Sequence, residues 1–235
     1  GFIASTPEGE TCLLSRGGSD TSAALIADGL CADRLEIWTD VSGMYTADPR
    51  LISGARVIEK IGYQQAQELA AMGAKVMHPY SIFPCVKKNI PIIICNTFEP
   101  LDKQVNTIIT SNLESRDRIY AVTKQNNITL FTITSLDMWN NYGFVQDIFK
   151  VFSKYNVDVN IITTSQFTIS TTTEESDTSR LLKLKAELET RYQVEMVHDC
   201  SIVSIVGDSI KEHPSIDEVM PTIRQNKVYI IHFSA

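Results

Sequence analysis

The sequence predicts an α/β protein in two parts: a mostly parallel sheet covered by helices, then βαββαβ modules. Three observations carry this. Apolar runs without alternation, such as Ile90–Cys95 (IPIIIC), read as strands buried on both faces. These runs alternate with helical stretches, which calls for a sheet covered by helices. A strand–helix–strand pattern then occurs twice in the second half.

The elements follow in order. Phe2–Ala4 and Thr11–Leu14 flank Pro7–Glu10 and read as a hairpin. A helix is expected over 20–31, capped by Asp20 and followed by the apolar positions Ala23, Ala24, Ile26, Ala27 and Leu30. Leu35–Trp38 is a strand. Tyr63–Met72 is a helix closed by Gly73, and a further helix is expected over 79–88. Polar segments at 100–104 and 111–117 enclose a short strand and place the domain boundary at about 112–117. Beyond it come strand 128–133, helix 143–154, strand 157–164, strand 166–172, helix 178–190 and strand 192–198. Strand 200–207, helix 215–225 and strand 228–233 begin a second copy, which would leave a sheet edge exposed.

Composition narrows the function. The 235 residues suffice for one large or two modest domains. Hydrophobic residues make up 43% and charged residues 21%, and no apolar run reaches the roughly 20 residues of a membrane span. The net charge of −7, without a basic patch and interleaved aromatics, argues against nucleic acid, and the lack of a long apolar run argues against a membrane partner. The five cysteines show no C-x-x-C spacing, which points to reduced thiols in the cytoplasm, each a small buried hydrophobe, and to no metal site.

Three stretches carry chemistry. Ser15–Asp20 (SRGGSD) places two glycines, an arginine and an aspartate before a helix, so that backbone N–H groups and the helix N-terminus meet an anion. Arg16 suits a carboxylate, held by two parallel hydrogen bonds. A plain glycine turn with a helix cap is an equal reading of this stretch. Trp38–Arg50 (WTDVSGMYTADPR) follows a strand, where α/β folds bind ligands. There Thr39 and Asp40 suit a ribose or base, Tyr45 a base face, and Arg50 a phosphate. A turn started by Asp-Pro is the structural alternative. Gly73–Pro79 (GAKVMHP) offers Lys75 to a phosphate, although a lone lysine is more often solvated surface. His78 is expected to cap the helix that follows it. Neither a P-loop nor a protein-kinase motif set is present.

Taken together, RGGSD (Arg16–Asp20), TDVSGMYTADPR (Thr39–Arg50) and GAKVMHP (Gly73–Pro79) resemble aspartokinase, of the amino-acid kinase fold family. The second half agrees, since aspartokinases carry tandem ferredoxin-like ACT modules. SLDM (Ser135–Met138) through Gly143–Phe144, and IITTS (Ile161–Ser165), resemble the lysine-inhibited monofunctional type. The resemblance implies a nucleotide-binding part of the catalytic domain over 1–112 and an ACT region over 118–235. In that region one module covers about 128–199, and an incomplete second covers about 118–126 plus 200–235.

It also implies the activity: phosphorylation of L-aspartate by ATP, with Mg²⁺ bridging phosphates, at the start of lysine, threonine and methionine synthesis. Arg16 and Ser19 would hold the aspartate, and Asp20 would sit catalytically beside the reacting groups. Thr39, Asp40, Tyr45, Arg50, Lys75 and Val76 would hold the nucleotide. Met138, Asn141, Phe144, Val145, Asp158, Val159, Asn160, Ser165 and Gln166 would line a lysine effector pocket, and ACT modules would pair two copies into a homodimer. Met138, Phe144 and Val145 are equally readable as core. Asn160 stands where lysine-sensitive relatives carry Asp, which implies weaker feedback, and Ser15 stands where the family has Gly.

The family's Lys-Phe-Gly-Gly segment is not in the chain, which opens at Gly1. The sequence therefore reads as an internal piece of a longer product, not competent as a kinase by itself. The competing reading is a regulatory stretch that senses an amino acid and does no chemistry.

Overall fold

In the computed structural model the described residues are 1–14, 16–74, 76–100, 105–113, 118–135, 143–208, 210 and 213–225. They form two units: one gathers 1–124 and 203–222, and the other is built on 125–202.

The first unit opens with a hairpin, β1 (Ile3–Ser5) and β2 (Thr11–Leu13), paired antiparallel. Helix α1 (Gly18–Leu30) follows. Strands β3 (Leu35–Thr39), β4 (Lys60–Ile61), β5 (Ile92–Asn96) and β6 (Thr107–Ile109) form a sheet in the order β3-β5-β6-β4. β3 runs parallel to β5 and β4 parallel to β6, while β5 and β6 are antiparallel. Ile92 and Ile94 of β5 are fully buried, as a run apolar on both faces requires. Helices α2 (Tyr63–Ala71) and α3 (Phe83–Val86) belong to the same unit.

Several expectations change here. The α1 cap is Gly17, in the left-handed region, and Asp20 lies in the first helical turn. Ala24 and Ala27 face the core, but Ile26 and Leu30 are 61% and 75% exposed. The two alanines share one stripe of the 3.6-residue repeat, and the i,i+4 pair Ile26/Leu30 lies on another. The helix expected over 79–88 divides into a 3₁₀ turn at Pro79–Ser81 and the short α3, with a proline near the start of each. All five cysteines are free thiols; Cys85 and Cys95 are buried, but Cys31 is exposed at the end of α1.

The second unit has the order β7 (Ile119–Thr134), α4 (Phe144–Lys154), β8 (Ile162–Thr164), β9 (Thr168–Thr173), α5 (Thr178–Glu189), β10 (Gln193–Gly207). Its sheet order is β10-β7-β9-β8, the ferredoxin-like arrangement of a βαββαβ module. β7 and β10 are longer than the sequence suggests, and the ends Ile119–Lys124 and Val203–Gly207 belong to the first unit. Each long strand holds one residue at positive φ, Asn127 (59°) and Asp199 (55°), residue types that tolerate it. Phe131, Phe144, Ile148, Phe152, Ile169, Leu181, Leu184 and Leu188 make the core. Asp177 caps α5 by accepting from the N–H groups of Ser179 (3.0 Å) and Arg180 (3.2 Å). Helix α6 (Ser215–Gln225) matches the expected range, and the strand expected at 228–233 lies outside the described residues.

In the first unit, buried Tyr63 donates its hydroxyl to the Ile90 carbonyl at 2.7 Å. Burial pushes its pKa up to about 12, so it remains a donor. Tyr63→Phe leaves a buried carbonyl without that donor and is expected to cost about 1–2 kcal/mol, read as a lower midpoint in urea unfolding.

Candidate active site

Two of the three chemistry-bearing stretches meet. Gly17 has φ +75°, and a Cβ placed there would lie 2.2 Å from the Cβ of His78. The RGGSD turn therefore packs its bare backbone on the loop that holds His78. The α1 entry is closed by Thr21, whose N–H and hydroxyl each reach the Gly17 carbonyl at 3.0 Å. Asp20 comes from the first turn of α1 and is half-buried. Burial raises its pKa, while the backbone N–H of His78, hydrogen-bonded to the carboxylate, and the His78 charge pull it down. Arg16 and Ser19 are exposed beside it along the chain. His78 caps the 3₁₀ turn, its Nδ1 accepting from the Tyr80 N–H at 3.4 Å, and its ring stacks on Tyr80 at 5.4 Å. Val76 is half-buried, and Lys75 lies outside the described residues.

The second stretch leaves the end of β3 and folds back as a hairpin. Tyr45 bridges antiparallel to Val57, and the Thr46 N–H donates to the Arg56 carbonyl at 2.8 Å. Thr107 braces its start: its hydroxyl accepts from the Met44 N–H at 2.8 Å, and a Cβ on Gly43 would lie 2.2 Å from that oxygen. Buried Ser42 donates to Glu99 at 3.1 Å and accepts from Asn96 at 3.1 Å. Thr39 donates to the exposed Asp40 carboxylate at 3.2 Å. Arg50, assigned to a phosphate from sequence, grips Asp48 through Nε (3.0 Å) and Nη2 (2.9 Å). That pairing holds the Asp48 carboxyl below its usual range.

The described effector residues sit in several local settings. Phe144 is a core residue, 3% exposed, with its ring edge-on to Tyr192 at 5.1 Å. Val145 is exposed. Ser165 and Gln166 form the β8–β9 turn, where the Ser165 hydroxyl accepts from the Thr168 N–H at 3.1 Å. Asp158 and Asn160 line an open cleft of about 370 Å³ with Asn156, Glu174 and Glu175. Asn160 Nδ2 donates to Glu174 at 3.1 Å. Val159 is half-buried, and Met138 and Asn141 lie outside the described residues.

Residues 1–96 match the amino acid kinase family. Over 218 residues the chain is 36% identical to lysine-sensitive aspartokinase 3 of Escherichia coli, covering 90% of the chain and 48% of that protein. All of the chain superposes on E. coli aspartokinase III in complex with aspartate and ADP, at a TM-score of 0.85 and 34% identity, covering 54% of that structure. The lysine and aspartate complex of the same enzyme gives 0.81 at 35% identity, covering 53%. The chain is similar to the aspartokinases. It spans about half the length of the relatives it matches.

Four supports of the second loop have no role in the sequence pattern alone: Ser42, Gly43 and Thr107, and Asp48 as the partner of Arg50. Gly43 and Asp48 lie inside the quoted motif, so their signal was present. Thr107 is 63 positions from its Met44 partner, and nothing local marks it. Gly17→Ala forces a side chain into both a left-handed backbone and the His78 contact. It is expected to destabilise the protein by about 2–4 kcal/mol, read as the shift of the unfolding transition that includes α1.

Proposed function

We propose that the protein transfers the γ-phosphoryl group of ATP to the side-chain carboxylate of L-aspartate, giving ADP and 4-phospho-L-aspartate, a first step toward lysine, threonine and methionine. The observation that carries this is the meeting of the Arg16–Asp20 turn with the His78 loop at the start of α1. It occurs in a chain whose whole length superposes on a structure that holds aspartate and ADP. In this reading a carboxylate oxygen forms the new P–O bond while the bond to ADP breaks. The nucleophile is already anionic, so no general base is needed and catalysis is positioning and charge neutralisation. Arg16 and Ser19 hold the aspartate, and Asp20 orients it. Thr39, Asp40, Tyr45, Arg50, Lys75 and Val76 hold the nucleotide, with Arg50 exchanging Asp48 for a phosphate. Mg²⁺ would accompany ATP and neutralise charge on the transferring phosphoryl group, and the exposed Asp40 carboxylate is an oxygen donor of the kind it accepts.

The regulatory part of the proposal rests on the second unit. Its cleft presents Asp158, Glu174 and Glu175, a fitting environment for the ammonium groups of L-lysine. β8 is an edge strand, which suits pairing with a second copy into a homodimer. The free thiols suit a cytoplasmic setting. The second reading, an amino-acid sensor without chemistry, is favoured by this cleft alone. Aspartate-dependent ADP release, followed in a coupled assay on a protein that joins this chain to the Lys-Phe-Gly-Gly segment, separates the two: a sensor binds lysine and releases no ADP.

Asp20→Asn is expected to lower aspartate-dependent turnover by about 10²-fold or more. Because the folded-state pKa of Asp20 is raised, its ionised form is disfavoured by folding. That penalty is absent below the ordinary carboxylate range and complete above the raised value. Asp20→Asn is therefore expected to raise the melting temperature at pH 7 and to give no gain near pH 3, measured by calorimetry. Asn160→Asp replaces the donor to Glu174 with a negative charge in the same cleft. It is expected to strengthen lysine inhibition by about 3- to 10-fold; an unchanged inhibition curve would remove the cleft from the effector assignment.

A further inference from the structure

A second cleft, of about 560 Å³, opens in the first unit, and none of Thr39, Asp40, Tyr45 or Arg50 lines it. Its walls carry Arg56, Lys60 and Arg118 against one carboxylate, Glu59. The excess of cations is local, since the chain as a whole carries −7. Among the described residues no carboxylate lies within ion-pair distance of any of the three.

All three stand on fixed backbone. The Arg56 N–H donates to the Thr46 hydroxyl at 3.0 Å, and its carbonyl accepts from the Thr46 N–H at 2.8 Å. Lys60 sits in β4, paired with Ile108 of β6. The Arg118 carbonyl accepts from the Asp208 N–H at 2.8 Å, and its guanidinium lies 5.6 Å from the centre of the Tyr120 ring. Tyr120 is itself tied down, donating its hydroxyl to Asp208 at 3.0 Å. Two guanidinium forks and an ammonium, held over a pocket of ligand size, match the oxygens and the double negative charge of a phosphoryl group better than a single carboxylate.

We propose that the Arg56–Lys60–Arg118 cleft binds a small phosphoryl-bearing anion at a site separate from the nucleotide loop. The site is defined by its own residues, and only its separateness from the nucleotide loop rests on the proposed function. Inorganic pyrophosphate is the probe, titrated calorimetrically into the protein in the presence of saturating ADP. The expected result is binding that weakens at least about tenfold in Arg56→Gln and in Arg118→Gln, and that weakens as salt is raised to about 0.2 M. ADP affinity is expected to stay within about twofold in both variants. Lys60→Gln, on an exposed strand position, gives a third variant should Arg118→Gln disturb the Tyr120 platform, and is expected to weaken binding by about 3-fold or more. No pyrophosphate binding to the wild type, equal affinity in all variants, or a matching loss of ADP affinity would each overturn a separate site.

Discussion

The first unit depends on one close approach, the backbone of Gly17 against the side chain of His78. Glycine is required there twice over: by the left-handed φ of +75° and by the 2.2 Å that would separate a Cβ from that of His78. The contact decides where α1 begins. It also sets Asp20 near the His78 N–H, where burial and hydrogen bonding act on the carboxylate in opposite directions. A group whose ionised form is partly disfavoured by its surroundings is common where a substrate has to be oriented. The physical cost of that arrangement is small while the loop holds and large if it opens.

The second loop is held by a different device. Thr107 sits on β6 and accepts from the Met44 N–H, with Gly43 leaving room for its hydroxyl. The chain then runs as a hairpin through Tyr45 and Val57. This long polar segment, with its proline and aspartates, is pinned at the N–H groups of Met44, Thr46 and Arg50. The Asp48–Arg50 pair fits the same picture. A guanidinium that is 87% exposed gains little stability from such a partner.

The second unit shows how a repeated βαββαβ pattern is adapted. β7 and β10 extend past the module, and Asn127 and Asp199 take left-handed conformations that bend each strand without ending it. The two helices bury Phe144, Ile148, Phe152, Leu181, Leu184 and Leu188 against one face of the sheet. This leaves the residues after α4, among them Asp158 and Asn160, free to face solvent with Glu174 and Glu175.

Local pattern by itself determined the elements and their kind. Local apolar pattern marked the hairpin, β3, α2, α4, α5 and α6, and an unbroken apolar run marked β5, because each buries its apolar positions within a short window. Motif order marked the three loops, since Gly, Asp-Pro and His-Pro have backbone consequences that do not depend on distant partners. Tertiary structure decided the rest. It exposed Ile26 and Leu30, because which stripe of α1 is inward depends on what the helix packs against. It joined 192–198 to 200–207 as one strand, because hydrogen bonding to β7 outweighs the turn propensity of His198–Asp199. It put Phe144 in the core and gave Arg50 to Asp48, while Thr107 and Arg118 acquired partners 63 and 90 positions away. Long-range contacts of this kind leave no periodic trace in sequence, because they are fixed by where the sheet brings the chain and not by what lies beside each residue.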